Sequence, residues 1–299
     1  MLFFLLVGLA VDTVYLGVFT LHGLPVPLAT ISTLLFSIIM TVTANNFGGH
    51  LILTSVGAEK LDIQIPEHRE LHNVVTEMAL ASGCSMPKVY VVYDPAPNAF
   101  ATGREERSAS VCVTTGLLTL LNREETQGVV AHEIAHIRNH DTRVMMLISV
   151  LLGGVVLLSD WAQRSLFSSR YGQRHRSHPL IAVPALLLVA VSPLVSRLLA
   201  MAVSRQREYL ADATAVEFTR NPLGLAKALE RIRDANLPFR KATSGTAHLF
   251  IANPLRRRID DREGMLADLL STHPPINRRI LLLYQMAKLP SGAAGGMGL

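Results

Sequence analysis

Charge is scarce in this chain. Only 17% of its 299 residues are Asp, Glu, Lys or Arg, against about 25% in ordinary soluble domains. Cysteine is scarcer still. Cys84 and Cys112 are the only two, and without metal-ligand spacing they exclude a cysteine-built metal site and are expected as reduced thiols. Aromatic residues make up 6%. No aromatic-interleaved basic motif accompanies the net charge of +5, which turns the expected partner from nucleic acid to anionic lipid at a membrane surface. The first apolar run has no basic segment ahead of it and no clear small-x-small site after it, so it does not read as a cleavable signal peptide. There is no internal repeat.

What fills the chain instead is apolar. Aliphatic and aromatic residues reach 49%, and the mean hydropathy is +0.33. Four long runs carry the excess, at 1–21, 24–44, 144–159 and 180–203. A helix needs about 20 apolar residues to cross a bilayer. The first, second and fourth runs meet that length, and the third does so only if Asp160 and Trp161 lie in the interface. The first two are expected as a hairpin closed by His22–Gly23. Asp12 lies inside the first run, where a lipid-exposed carboxylate costs roughly 2.5–3.5 kcal/mol at the bilayer centre. It is expected to face a neighbouring helix or water.

Between the second and third runs the pattern is that of a folded domain. Residues 66–81 read as a helix with Pro66 in its first turn and Gly83 as stop signal. Residues 88–93 read as a strand, and 98–101 with 109–114 as a hairpin around a polar turn. Asn122 opens a further helix, with Glu125 three residues on as in a capping box. With only an isolated Gly128 before Gly153, that helix is expected to run unbroken into the third apolar run. A Ser- and Arg-rich loop is expected at 162–179 and further helices at 204–220, after Asn221–Pro222 and after Pro274–Pro275.

Chemistry concentrates in His132-Glu133-Ile134-Ala135-His136, an HExxH. Residues i and i+4 share one helix face, so two imidazoles at this spacing can grip one Zn²⁺. The glutamate between them is placed to take a proton from water. Such a site needs a third protein ligand. Ser204-Arg205-Gln206-Arg207-Glu208-Tyr209-Leu210-Ala211-Asp212 offers one. Glu208 and Asp212 are again i and i+4; Glu208 can complete the ligand set and Asp212 can hold a ligand imidazole. Taken alone this second segment reads equally as a surface helix of Arg and Glu pairs.

Together, HExxH, two apolar runs and then SRQREYLADA resemble the HtpX-type membrane metallopeptidases, relatives of the CAAX prenyl proteases and the mitochondrial protease Oma. Asn98-Ala99-Phe100-Ala101-Thr102-Gly103, Val113-Thr114-Thr115-Gly116-Leu117 and Ser271-Thr272-His273-Pro274-Pro275 extend the resemblance over nearly the whole chain. It implies an α+β, mainly α-helical fold: an integral membrane protein with about four apolar spans and a gluzincin-like catalytic domain with a small β-sheet. The expected boundaries are a transmembrane hairpin at 1–44, the halves of the peptidase domain at 45–143 and 204–289, a second hairpin at 144–203 and a flexible tail at 290–299.

The resemblance also implies roles. His132, His136 and Glu208 hold one Zn²⁺ per chain, Glu133 is the base, and Asp212 supports a ligand. His273 lines the site and stabilises the oxyanion. Asn98, Ala99, Phe100, Ala101, Val113 and Thr114 border the substrate cleft, with Arg279 as the trailing arginine of the HPP motif. The partners expected are polypeptides, misfolded membrane proteins among them, and the bilayer. An edge strand would hold an extended peptide by main-chain hydrogen bonds.

An even number of crossings puts Glu133 and Glu208 on one side, and the resemblance makes that side the cytoplasmic face of a prokaryotic plasma membrane. The loop at 162–179, with Arg164, Arg170, Arg174 and Arg176 and no acid, would also be placed inside by its charge. The competing readings are a CAAX-type prenyl-peptide protease and a non-catalytic, zinc-stabilised membrane adaptor. Neither substrate nor oligomeric state is legible.

Overall fold

A computed structural model describes residues 27–167, 205–235, 237–239, 246, 249–251 and 274–288, together with 4, 5, 8, 9, 12, 20, 21, 24 and 25. Strands β1 (Thr20–Leu21) and β2 (Leu24–Pro25) pair antiparallel on either side of the expected turn. Helix α1 (Leu28–Ser55) follows. It runs eleven residues past the apolar run that ended at 44, because Asn45, Asn46 and two glycines interrupt hydropathy without breaking the backbone ladder, and Leu51, Ile52 and Leu53 resume it. Among the described residues α1 is the one helix long and apolar enough to cross a membrane. Ile31, Leu35, Ile39, Val42 and Phe47 are all more than half exposed on it. Of the four expected spans, 180–203 and most of 1–21 lie outside the described residues.

After α1 come β3 (Glu59–Lys60) and α2 (Pro66–Ser82). Proline at the first turn and Gly83 in the left-handed region, φ 71°, bound α2 as the sequence predicts. Three further strands are β4 (Lys88–Val92), β5 (Ala99–Thr102) and β6 (Ser110–Thr114). They assemble in the order β3-β4-β6-β5. The hairpin β5–β6 is antiparallel, with Ala99 opposite Val113, and β6 runs parallel to β4. This leaves β5 on the outer edge.

Alternation along the strands splits the core between the two faces. Val91, Ala99, Ala101, Val111 and Val113 face one cluster with α2 and the helices that follow. Val92, Phe100 and Cys112 face a second, with Ile52, Leu53, Met145, Met146 and Phe250. Both cysteines are free thiols.

A short helix α3 (Thr115–Leu120), unforeseen in the sequence, leads to α4 (Arg123–Arg138). The capping box is present in both directions: Glu125 N donates to Asn122 Oδ1 at 2.9 Å and Asn122 N donates to Glu125 Oε2 at 2.9 Å. Gly128 has a packing reason. A Cβ there would stand 2.7 Å from the backbone nitrogen of Leu225, so α4 can approach α7 (Pro222–Ala235) only without one.

The expected continuous helix is broken. α4 ends at Arg138, His140 takes φ 59°, and α5 (Asp141–Phe167) starts as a separate helix. No glycine or proline marks the break; one left-handed histidine makes it. α5 also extends through residues expected as loop from 162, and packs along α1. The remaining helices are α6 (Arg205–Thr219) and α8 (Ile276–Lys288). α4 is packed by α2, α6 and α7, and α8 packs on α7.

Candidate metal centre

Helix α4 is anchored by one face. Val129, Val130, Ile134 and Ile137 are buried in the core beneath the sheet. That fixes the adjoining face, where His132, Glu133 and His136 are also buried. Helix α6 lies against this side and brings Glu208 and Asp212, likewise buried. Five ionisable side chains out of water in one place need partners or a metal.

Three of them converge. Nε2 of His132 and Nε2 of His136 are 3.2 Å apart. Glu208 places Oε2 3.7 Å from the first and Oε1 3.5 Å from the second. Ligand atoms about 2.0–2.1 Å from one tetrahedral zinc stand roughly 3.3 Å from each other. The three side chains therefore fit a shared zinc ion, and they are the group of the described residues that can hold one.

The other nitrogen of each imidazole meets a carboxylate. His132 Nδ1 is 2.9 Å from Asp212 Oδ1, and His136 Nδ1 is 3.1 Å from Asp141 Oδ2. A carboxylate on Nδ1 keeps its hydrogen there and turns the Nε2 lone pair toward the centre. Each carboxylate in turn meets a guanidinium. Arg279 grips Asp212 with two bonds, Nε to Oδ2 at 2.8 Å and Nη2 to Oδ1 at 2.7 Å. Arg207 reaches Asp141 from Nη1 at 3.4 Å. The centre thus has two His–Asp–Arg chains. The first was half legible in the sequence. Asp141 and Arg207 were missed, because their contact depends on the break at His140.

Burial pushes the Glu133 carboxyl above the ordinary carboxylate range, against the pull of His132 and His136. Its Oε2 is buried and has no hydrogen-bond partner among the described residues. A carboxylate oxygen free of partners and biased toward protonation is suited to accepting a proton. Burial, then Arg279, press the His132 imidazole down, but Asp212 and Glu208 outweigh them and its pKa is raised to about 9. Asp212 stays below its ordinary value despite burial, since Arg279 and His132 face it.

The other predicted residues fall in two groups. Asn98, Ala99, Phe100 and Ala101 sit on or just before the edge strand beside α4, all buried. Val113 is a core side chain, and Thr114 pins the end of β6. Thr114 Oγ1 donates to Ala96 O at 2.7 Å and accepts from Asn98 N and Leu117 N. Arg279, expected along the cleft, is a fully buried guanidinium locked on Asp212. His273 lies outside the described residues.

Known proteins resemble this chain over most of its length. The pattern of peptidase family M48 matches residues 66–287. A protein described as "Protease HtpX homolog" from Caldanaerobacter subterraneus is 45% identical over 241 residues, 79% of this chain and 77% of its own. One of the same description from Thermococcus sibiricus is 38% identical over 258 residues, 85% of each chain. Among solved structures, Ste24p of S. mikatae superposes with a TM-score of 0.51 at 17% identity, over 94% of this chain and 62% of that one. That likeness concerns the fold alone.

Proposed function

Because this chain belongs to peptidase family M48 and is a metalloprotease, we propose that it hydrolyses peptide bonds of unfolded or damaged polypeptides at a zinc centre next to a membrane. The observation that carries this reading is the convergence of His132, His136 and Glu208 on one point, with the unpartnered oxygen of Glu133 in the same buried place. A site that only stabilised the fold would have no use for that oxygen.

Bound zinc would supply Lewis acidity toward water and the scissile carbonyl. His132, His136 and Glu208 would hold it, with Asp212 and Asp141 fixing the two imidazoles. Glu133 takes the proton of the attacking water at Oε2 and passes it to the leaving amine. His273, which directly precedes Pro274, is assigned to the developing oxyanion on the strength of the HPP resemblance. The exposed apolar surface of α1 supports insertion in a lipid bilayer, and the family resemblance supports a plasma membrane with this centre on the cytoplasmic side and a role in protein quality control.

The test is cleavage of a loosely folded protein by the purified enzyme in detergent. Chelation should abolish it and zinc should restore it. Glu133→Gln should keep about one zinc per chain yet lose at least ~10²–10⁴-fold in turnover, as expected on removing a general base. Near-normal cleavage by that variant refutes the mechanism.

A further inference from the structure

Ile251 is held from both sides by its own peptide groups. Its N–H donates to the carbonyl of Ala99 at 3.0 Å. Its carbonyl accepts from Arg279 Nη1 at 3.0 Å. Ala99 lies on β5, the outer strand of the sheet. Thr114 N donates to Asn98 O, so by antiparallel alternation Asn98 and Phe100 turn their main-chain groups toward β6 and Ala99 turns its carbonyl outward. Arg279 is the residue that grips Asp212, and its Nη1 is 3.6 Å from Glu208 Oε2. One residue of the chain therefore bridges the open edge of the sheet and the guanidinium that touches the metal ligands.

Its neighbours form a turn, in which Leu249 N donates to Thr246 O at 3.0 Å. Phe250 turns to the opposite face and packs edge-on against Phe100, centroids 5.1 Å apart, and against Phe239 at 5.0 Å. Leu249 joins them. Ile251 points into the cluster shared with α4. Main-chain bonding to an edge strand is how an added strand binds, and Ile251 makes such a bond. A peptide to be cut beside this centre needs that same lane.

We propose that the segment Leu249–Ile251 is an internal competitor for the substrate. On this proposal, which rests on the metalloprotease reading above, the Ala99 carbonyl and the Arg279 guanidinium are the grip for a substrate's backbone. The slot between Phe100 and Phe239 receives a large apolar side chain. The ligand class follows: an extended segment bearing an aromatic or large aliphatic residue, which folded proteins bury and unfolded ones expose. Such a segment displaces Phe250 at small net cost, because apolar burial is exchanged like for like. Polar segments cannot make that exchange, and the site stays closed to them.

The experiment uses zinc-loaded Glu133→Gln enzyme, which binds without cutting, and follows amide hydrogen exchange with and without saturating casein. The amides of 249–251 should be protected in the free enzyme and lose that protection when casein is bound. Unchanged protection with casein bound makes the segment a fixed wall and overturns the proposal. A second measurement uses Phe250→Ala in the active enzyme. If the segment fills the lane about nine-tenths of the time, kcat/KM on casein should rise ~10-fold through KM, with kcat steady. A synthetic peptide of residues 247–253 should then compete with casein. A fall or no change in kcat/KM at full zinc content overturns the proposal; should that variant lose zinc, the exchange measurement decides alone. A wild-type enzyme that neither holds zinc nor cuts casein would instead refute the metalloprotease reading.

Discussion

Asp141 Oδ2 stands 3.1 Å from Nδ1 of His136, which ties the first residue of α5 to a metal ligand at the end of α4. The contact mirrors Asp212 on His132, but the two carboxylates arrive differently. Asp212 comes one helical turn after Glu208 on α6. Asp141 comes back onto α4 only because His140 adopts φ 59°. Removing a carboxylate that orients a ligand imidazole commonly costs 10–100-fold in metal affinity. Asp141→Ala should weaken zinc by about that factor, and Asp141→Asn, which keeps an acceptor oxygen, by less. Competition against a chelator measures both. Wild-type affinity in the alanine variant would make the contact incidental.

What the sequence revealed and what it hid divide along a physical line. HExxH and Glu208/Asp212 are local periodicities, and a helix converts i, i+4 into a shared face without help from the rest of the fold. The β5–β6 hairpin and the Asn122 cap are local as well. Asp141, Arg207 and Ile251 are not. Each depends on a backbone turn or a long-range approach that leaves no trace in composition: a histidine, with no glycine near it, makes the break, and Ile251 meets Ala99 across 152 positions. Arg279 was legible as a site residue but not in its surroundings, since nothing in a sequence says that a guanidinium will be buried.

That burial gives a prediction for Arg279. Its removal would strip the buried Asp212 and Glu208 carboxylates of the guanidinium they share. Breaking a buried ion pair on one side costs about 3–5 kcal/mol. Arg279→Ala should show a loss of stability of that order in denaturant titration, together with weaker zinc binding. Arg279→Lys should rescue little, because an ammonium cannot reproduce the two parallel bonds to Asp212. Full stability in the lysine variant would show that charge alone matters there.

The raised pKa of His132 fixes how zinc binding depends on pH. Its ordinary value of 6.5 rises to about 9 in the fold. A folded value above the unfolded one means that the proton stabilises the metal-free fold. That contribution is complete below about 6.5 and disappears as pH rises through 9. Zinc needs the nitrogen that this proton occupies. Zinc affinity should therefore climb with pH by up to ~10-fold per unit as the proton is displaced, and level off above about pH 9. Chelator competition from about pH 6 to about pH 10 reads this directly. A flat profile over that range would show that His132 is neutral before the metal arrives.

Asp12 gives the last prediction, and it settles why a carboxylate sits in an apolar run. Helix α1 begins after Pro27, which provides no side-chain cap, and its first turn holds no acid. Its opening amides would be left without partners. Asp12 supplies them from a different part of the chain: Ala29 N donates to Oδ1 at 3.0 Å and Thr30 N to Oδ2 at 2.8 Å. The carboxylate thus does the work of an N-cap residue and also places a negative charge at the positive end of the helix. Losing such a cap costs ~0.5–2 kcal/mol. Asp12→Ala should lower the thermal midpoint of the zinc-loaded enzyme in detergent. Asp12→Asn, whose single oxygen can accept one of the two bonds, should fall between. Turnover at a temperature where all three are folded should be alike. If Asp12→Ala instead melts with the wild type but cuts slowly, the residue serves the chemistry and not the helix, and the capping account fails.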